Sequence, residues 1–305
     1  DQGWCVYTLT GDTVDQGESN SATNEHIFET FSWDNKEKVL IDGKGDRTGA
    51  DAVKTWYNFR FHDSYLAGVA GGAKWANHTD NGVLRGRPYR LHIKNIKFQV
   101  KDDATGIKSN SDVKLATEQG GENKFNNFCI KTEETVVTME NVTIDNYGGQ
   151  DVDGAAANTY GGACLIQGAD YSVIDRDINT LNYDISNNNP QYMAGKPGLK
   201  NITVLNCNNS IELRNCKGNT SNKLYVTDCT VTSCVTNGLV LGDAAYMGKL
   251  ANDDGGVPAG NSSTRRAQAG ARPKCSNIIV DNLTVTASNR AVVMESCADC
   301  TLKNS

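Results

Sequence analysis

No stretch of this 305-residue chain approaches the roughly 20 consecutive apolar residues that a bilayer-spanning helix needs, so the sequence gives no membrane span. Apolar residues are scarce, at 38%. A globular enzyme with a thick core would need more, whereas a solenoid with polar bends and a narrow core tolerates it. Positive charge is in deficit: the net charge is −6 and the pI about 5.3, which argues against a nucleic-acid partner. A leader is missing too. The chain opens DQGWCVYTLT, as a mature secreted chain does once its signal peptide has gone.

What the sequence does contain is a repeat. Asn201–Cys234 reads NITVLNCNNSIELRNCKGNTSNKLYVTDCTVTSC. Ile202, Val204 and Asn206 recur 22 residues on as Leu224, Val226 and Asp228; Ile278, Val280 and Asn282 return as Cys300, Leu302 and Asn304. The unit is apolar-x-apolar-x-Asn/Asp. Its alternation predicts a short strand with one face buried. The closing Asn or Asp suits a bend with left-handed backbone. A strand, a bend and the same pattern about 20 residues later is the mark of a β-solenoid. The pattern expects Val204, Val226 and Val280 to point inward in one ladder.

This unit resembles the coil of the right-handed parallel β-helix proteins, the pectin-lyase-like superfamily, over Tyr89 to the C-terminus. The resemblance implies an all-β fold, a right-handed single-stranded parallel β-helix. Residues 1–88 would form an N-terminal coil or cap region of the same domain, and 89–305 the β-helix coils. Thr55–Phe61, rich in aromatics, is expected to cover an open end of the stack. Further copies of the unit surround Asn95 in LHIKNIKF, Asn141 in VTMENVTI and Asp177 in VIDRDIN. The extra residues beyond a minimal coil fall in Lys101–Asn127, Tyr147–Gly162 and Leu181–Gly198. They are expected to leave from one corner and build one flank of long loops. Gly242–Lys274 leaves from a different corner. Loops of this length are commonly functional.

The ten cysteines and seven Asn-x-Ser/Thr sequons point to an oxidising, extracellular route and to N-linked glycans. The sequons are Asn77, Asn141, Asn201, Asn208, Asn219, Asn261 and Asn282. Cys207 and Cys229 are expected at equivalent places on adjacent coils, within disulfide reach. Cys216 and Cys297 share an offset with one coil between them. Cys297 and Cys300 form a C-x-x-C pair without the further ligands a zinc site requires. Cys5 needs a distant partner or another chain. Disulfides or a buried thiol ladder fit this usage, and no metal site is expected.

Two functions compete. The first is an extracellular structural or assembly subunit, a filament or coat protein that self-associates. It is favoured by the absence of the resembled family's catalytic motifs NTDG, GHG and Arg-x-Pro-x-x-Arg, and by a last coil, CTLKNS, without a polar cap. The alternative is a carbohydrate-active enzyme, a polysaccharide lyase or glycoside hydrolase, on an acidic polysaccharide. The resemblance then implies acid/base or calcium-binding roles for Asp151, Asp153, Asp175 and Asp177, with Lys196 or Arg214 as the positive group. Calcium would be the cofactor of a lyase; otherwise none is expected. Tyr147, Tyr160, Tyr183 and Tyr192 are candidates to stack on sugars or to pack the loops.

Overall fold

A computed structural model describes residues 4–14, 38–43, 53–57, 59–63, 83–85, 90–100, 128–133, 135–147, 162–173, 197–242, 275–286, 288–295 and 297–305. In chain order the strands are β1 (Trp4–Thr8), β2 (Thr13–Val14), β3 (Lys38–Asp42), β4 (Lys54–Tyr57), β5 (Arg60–Asp63), β6 (Val83–Arg85), β7 (Arg90–Gln99), β8 (Phe128–Glu133), β9 (Val136–Asp145) and β10 (Gly162–Gln167). They continue as β11 (Gly198–Leu205), β12 (Asn209–Arg214), β13 (Leu224–Thr232), β14 (Asn237–Gly242), β15 (Cys275–Ser276), β16 (Ile278–Thr286), β17 (Arg290–Met294), β18 (Cys297–Ala298) and β19 (Thr301–Lys303). Among the described residues no helix is long and apolar enough to cross a membrane.

The fold is all-β, with long parallel sheets. The first sheet runs β1-β3-β7-β9-β11-β13-β16-β19, with β4 also on β7 and β2 on β4. The second runs β17-β14-β12-β10-β8-β5-β6, and β15 pairs with β18 in a third. From β7 onward the chain visits the first and second sheets in turn, so each return lays a strand beside the previous one. This arrangement is compatible with a parallel β-helix. The apolar positions stack in rows across the strands. One row is Ile41, Ile93, Met139, Leu199, Val226, Val280 and Leu302. A second is Trp56, Phe98, Ile144, Val204, Val231 and Val285. Val204, Val226 and Val280 are all buried in the core, as the alternation predicts. They do not share a ladder, however: Val204 lies opposite Val231, and Val226 opposite Leu199.

The reason is that the long strands of the first sheet bend in the middle. Asn95, Asn141, Asn201, Asp228, Asn282 and Asn304 occupy one bend in successive strands, with φ of 51°, 56°, 52°, 55°, 57° and 52°. Left-handed backbone is tolerated there because a short amide or carboxylate side chain bonds locally. The amides form a column. Asn141 Nδ2 donates to Asn95 Oδ1 at 3.0 Å, Asn201 Nδ2 to Asn141 Oδ1 at 2.7 Å and Asn282 Nδ2 to Asp228 Oδ1 at 2.8 Å. Asn206 belongs to a second bend with Asn146 and Ser233, also left-handed. The 22-residue offset from Asn206 to Asp228 therefore joins two different corners; the pairing offset there is 27 residues, from Asn201 to Asp228. Asp177 lies outside the described residues.

The N-terminal region joins the same sheets. Thr55–Phe61, expected over an open end, supplies β4 and the start of β5, and Trp56, Phe59 and Phe61 are core residues. The long insertions also leave from more than one corner. Segments 101–127 and 148–161 lead from the first sheet into the second, whereas 174–196 and 243–274 follow strands of the second. They lie outside the described residues.

Candidate functional site

Outer faces distinguish the two sheets. Along β12 the buried pattern reads SIELR, with Ile211 and Leu213 in the core cluster. Alternation then turns Glu212 and Arg214 to the other face. The same argument turns Leu165 and Gln167 of β10, and Val240 and Gly242 of β14, outward. Two outward rows result: Leu165, Glu212, Val240, Val293, and Gln167, Arg214, Gly242. An outward face is ordinarily solvated, yet Leu165, Gln167, Glu212, Arg214 and Val240 are all buried.

Inside this enclosed face sits an ion pair. Arg214 donates to Glu212 Oε2 from Nη2 at 3.0 Å and from Nε at 3.2 Å. On its other side, Arg214 Nη1 lies 4.0 Å from Oε2 of Glu295, whose carboxylate is largely exposed. Gly242 makes room for the guanidinium: a Cβ there would collide with Arg214 Nη1. Burial raises the Glu212 pKa, and the nearby Arg214 charge and hydrogen bonds oppose that without cancelling it. Beside the pair, Gln167 is fully buried with no partner for either Oε1 or Nε2. Each such unmade bond costs about 1–3 kcal/mol.

Of the sequence candidates, only Arg214 lies in this cluster. Asp151, Asp153, Asp175, Asp177 and Lys196 lie outside the described residues. Glu212, Gln167 and Glu295 were missed. The available signal was the alternation S-I-E-L-R, which puts an acid and a base two residues apart on one face of a strand. Among the described residues no group of three or more His, Cys, Asp or Glu could hold a metal ion. The four aspartates weighed for calcium lie outside those residues.

The other candidates serve the stack. Asn141, Asn201 and Asn282 belong to the amide column. Asn208 is buried. Asn219 Oδ1 accepts from the Ser221 and Asn222 N–H groups at 2.9 and 2.6 Å. Asn77 and Asn261 lie outside the described residues, as does the Cys5 side chain. Cys207 follows the second bend in line with Cys234, whose successor Val235 donates its N–H to the Cys207 carbonyl at 3.0 Å. Cys229 lies one corner away, in the row of Ile202 and Leu283. Cys216 and Cys297 do have a strand between them, and it places Cys275 there. Cys207, Cys216, Cys229, Cys275, Cys297 and Cys300 are free thiols. Burial pushes the thiol pKa up at Cys207, Cys216, Cys229, Cys275 and Cys297, so these groups act as small hydrophobes. Tyr147 is wholly buried and donates its hydroxyl to the Phe59 carbonyl at 2.7 Å. It anchors a corner instead of offering a ring to a sugar; Tyr160, Tyr183 and Tyr192 lie outside the described residues.

No protein-family model, no curated protein and no solved structure matches this chain.

Proposed function

We propose that the chain is a right-handed, single-stranded parallel β-helix of the pectin-lyase-like kind, secreted and glycosylated, that cleaves an acidic polysaccharide along the outer face of its second sheet. The observation that carries this reading is the buried Glu212–Arg214 pair on a face where a sheet ordinarily shows solvated side chains. The face mixes apolar Leu165 and Val240 with a few polar groups, the composition of a ligand site. A sheet with equivalent positions about 4.8 Å apart suits an extended polymer.

The reading favours hydrolysis over elimination. Glu212, whose carboxyl burial biases toward the neutral form, is assigned as proton donor to the glycosidic oxygen. Glu295, across Arg214, is assigned as the carboxylate that takes a proton from the attacking water. The C–O bond to the leaving sugar breaks as the water oxygen bonds to the anomeric carbon. Arg214 holds both carboxylates in place. Release of reducing ends from polygalacturonate and alginate is the test. The parent should release them, and Glu212→Gln and Glu295→Gln should each lose about 100-fold or more with the far-UV spectrum unchanged. A parent that releases neither reducing nor unsaturated ends from either polymer sinks the reading.

The amide column favours a second reading, the self-associating extracellular structural subunit, because polar side chains bonded along the stack stiffen a rod. Long regular particles in electron micrographs across a concentration series would support it, and dispersed monomers would count against it.

A further inference from the structure

We propose that Asn219, of the sequons Asn141, Asn201, Asn208, Asn219 and Asn282 within the described residues, is the one that carries an N-linked glycan. The assignment rests on the reading of the chain as secreted and glycosylated, and names the site.

The sequon lies on an addition to the coil. Lys217 pairs with Ser276 and Leu224 with Ile278, so residues 218–223 stand where the next coil has the single Asn277. None of residues 218–223 belongs to the core cluster. Thr220 and Ser221 are exposed and Asn219 is half-buried. The loop is closed on itself all the same. Asn219 donates its N–H to the Asn222 carbonyl at 2.8 Å, and its Oδ1 accepts from the Ser221 and Asn222 N–H groups at 2.9 and 2.6 Å. A side-chain amide carries its oxygen and its –NH₂ on two sides of one carbon. Tying down Oδ1 therefore turns Nδ2 away from the loop backbone. No hydrogen bond engages that nitrogen among the described residues.

The other four sequons are committed to the stack. Asn141, Asn201 and Asn282 each donate from Nδ2 to the neighbouring member of the column. A sugar on such a nitrogen has a strand on either side to clear, at a spacing of about 4.8 Å. Asn208 is buried, and a sugar there would have to pass through packed protein. A glycan is bulky and belongs at a surface, which the exposed turn at 219–221 supplies. In the transfer, Nδ2 bonds to the anomeric carbon of the first sugar and gives up a proton. That carbon's bond to the pyrophosphate oxygen of a lipid-linked oligosaccharide donor breaks, and the lipid pyrophosphate leaves. Ser221, two residues on, supplies the hydroxyl that completes the acceptor sequence.

The test uses the full chain secreted from a eukaryotic host. Its peptides are treated with peptide N-glycanase in heavy-oxygen water, which converts each asparagine that bore a glycan into labelled aspartate. Label is expected at Asn219 and at none of Asn141, Asn201, Asn208 and Asn282. Ser221→Ala removes the acceptor sequence and keeps the turn, whose bonds use only the backbone N–H at that position. This variant should lose the mass of one glycan, with the far-UV spectrum of the parent. Label at any of the other four sequons in the secreted, folded protein overturns the inference and leaves the glycosylated reading intact. So does a Ser221→Ala variant with the parent's glycan content. A secreted parent with no label at any asparagine sinks that reading, and this assignment with it.

Discussion

The outer faces of the two sheets obey the same coil period and treat charge in opposite ways. On the first sheet Asp42, which precedes Gly43, and the residue just before each member of the column form a row: Asp42, Lys94, Glu140, Lys200, Thr227, Asp281, Lys303. Its signs alternate apart from uncharged Thr227, and neighbours pair at 3.5 Å for Lys94–Asp42, 3.5 Å for Lys200–Glu140 and 2.9 Å for Lys303–Asp281. From Glu140 onward these pairs are partly solvated. On the second sheet the Glu212–Arg214 pair lies within a single strand and is largely buried. The first arrangement fixes which strand lies beside which. The second does nothing for register, and a charge pair gains little stability from burial.

The largest way to break the comparison is to put charge where neither sheet accepts it. Val226 faces the shared core with zero exposure. Val226→Asp should abolish cooperative unfolding altogether, because an unpaired carboxylate in a narrow core has no compensation. A folded, soluble variant by circular dichroism would show that the rows are misassigned. Next comes removal of a cation from each sheet. Arg214→Ala strands the buried Glu212 and should cost about 3–5 kcal/mol in urea unfolding. The double variant Glu212→Leu/Arg214→Met should recover most of that. A loss below about 1 kcal/mol for Arg214→Ala alone would mean that the face is wet.

A third prediction concerns the first sheet near its start, where the outward face is also buried. His92 has its Nδ1 3.0 Å from Thr138 Oγ1, and burial, with the Lys94 charge second, pushes its pKa down to about 3. The folded state thus keeps a neutral ring where the unfolded chain takes up a proton below about 6.5. Stability should fall as pH drops from about 6.5 toward 3, this residue contributing about 2 kcal/mol of loss between pH 6.5 and 5. His92→Gln should flatten that part of the profile; parallel profiles for parent and variant would rule the residue out. The smallest effect belongs to Lys200→Ala on the solvated row, within about 1 kcal/mol and weakened further by salt. A larger loss there would erase the distinction between the two faces.

Much of the stack was legible in the sequence, because alternation and Asn-terminated strands are local signals. Left-handed Asn at the bends and inward Val204, Val226 and Val280 follow from them. The pairing did not. Asn201 and Asn206 sit at two bends of one turn, and a pattern with Asn at both corners reads equally well from either. The shift misplaced Cys207, which stands next to Cys234 and not Cys229. The site was less legible still. Asp151, Asp153, Asp175, Asp177 and Lys196, the charges the sequence singles out, lie outside the described residues. Glu212 and Gln167 sit within apolar strands, and only their burial marks them as costly. That burial depends on what lies over the face, which no local pattern encodes.

The amide column also bears on how much chain the molecule can carry. Successive rungs are separated by 46 residues from Asn95 to Asn141, 60 to Asn201, 27 to Asp228 and 54 to Asn282. The left-handed backbone recurs at every member, and the bonded rungs at 46, 60 and 54 residues share one geometry, so the column is indifferent to the length of chain between its members. Closing a longer excursion costs only about 0.6 kcal/mol per doubling of its length, roughly what one amide rung returns. A chain built this way can lengthen or shorten between rungs at almost no thermodynamic penalty, so length can drift while the scaffold stays put.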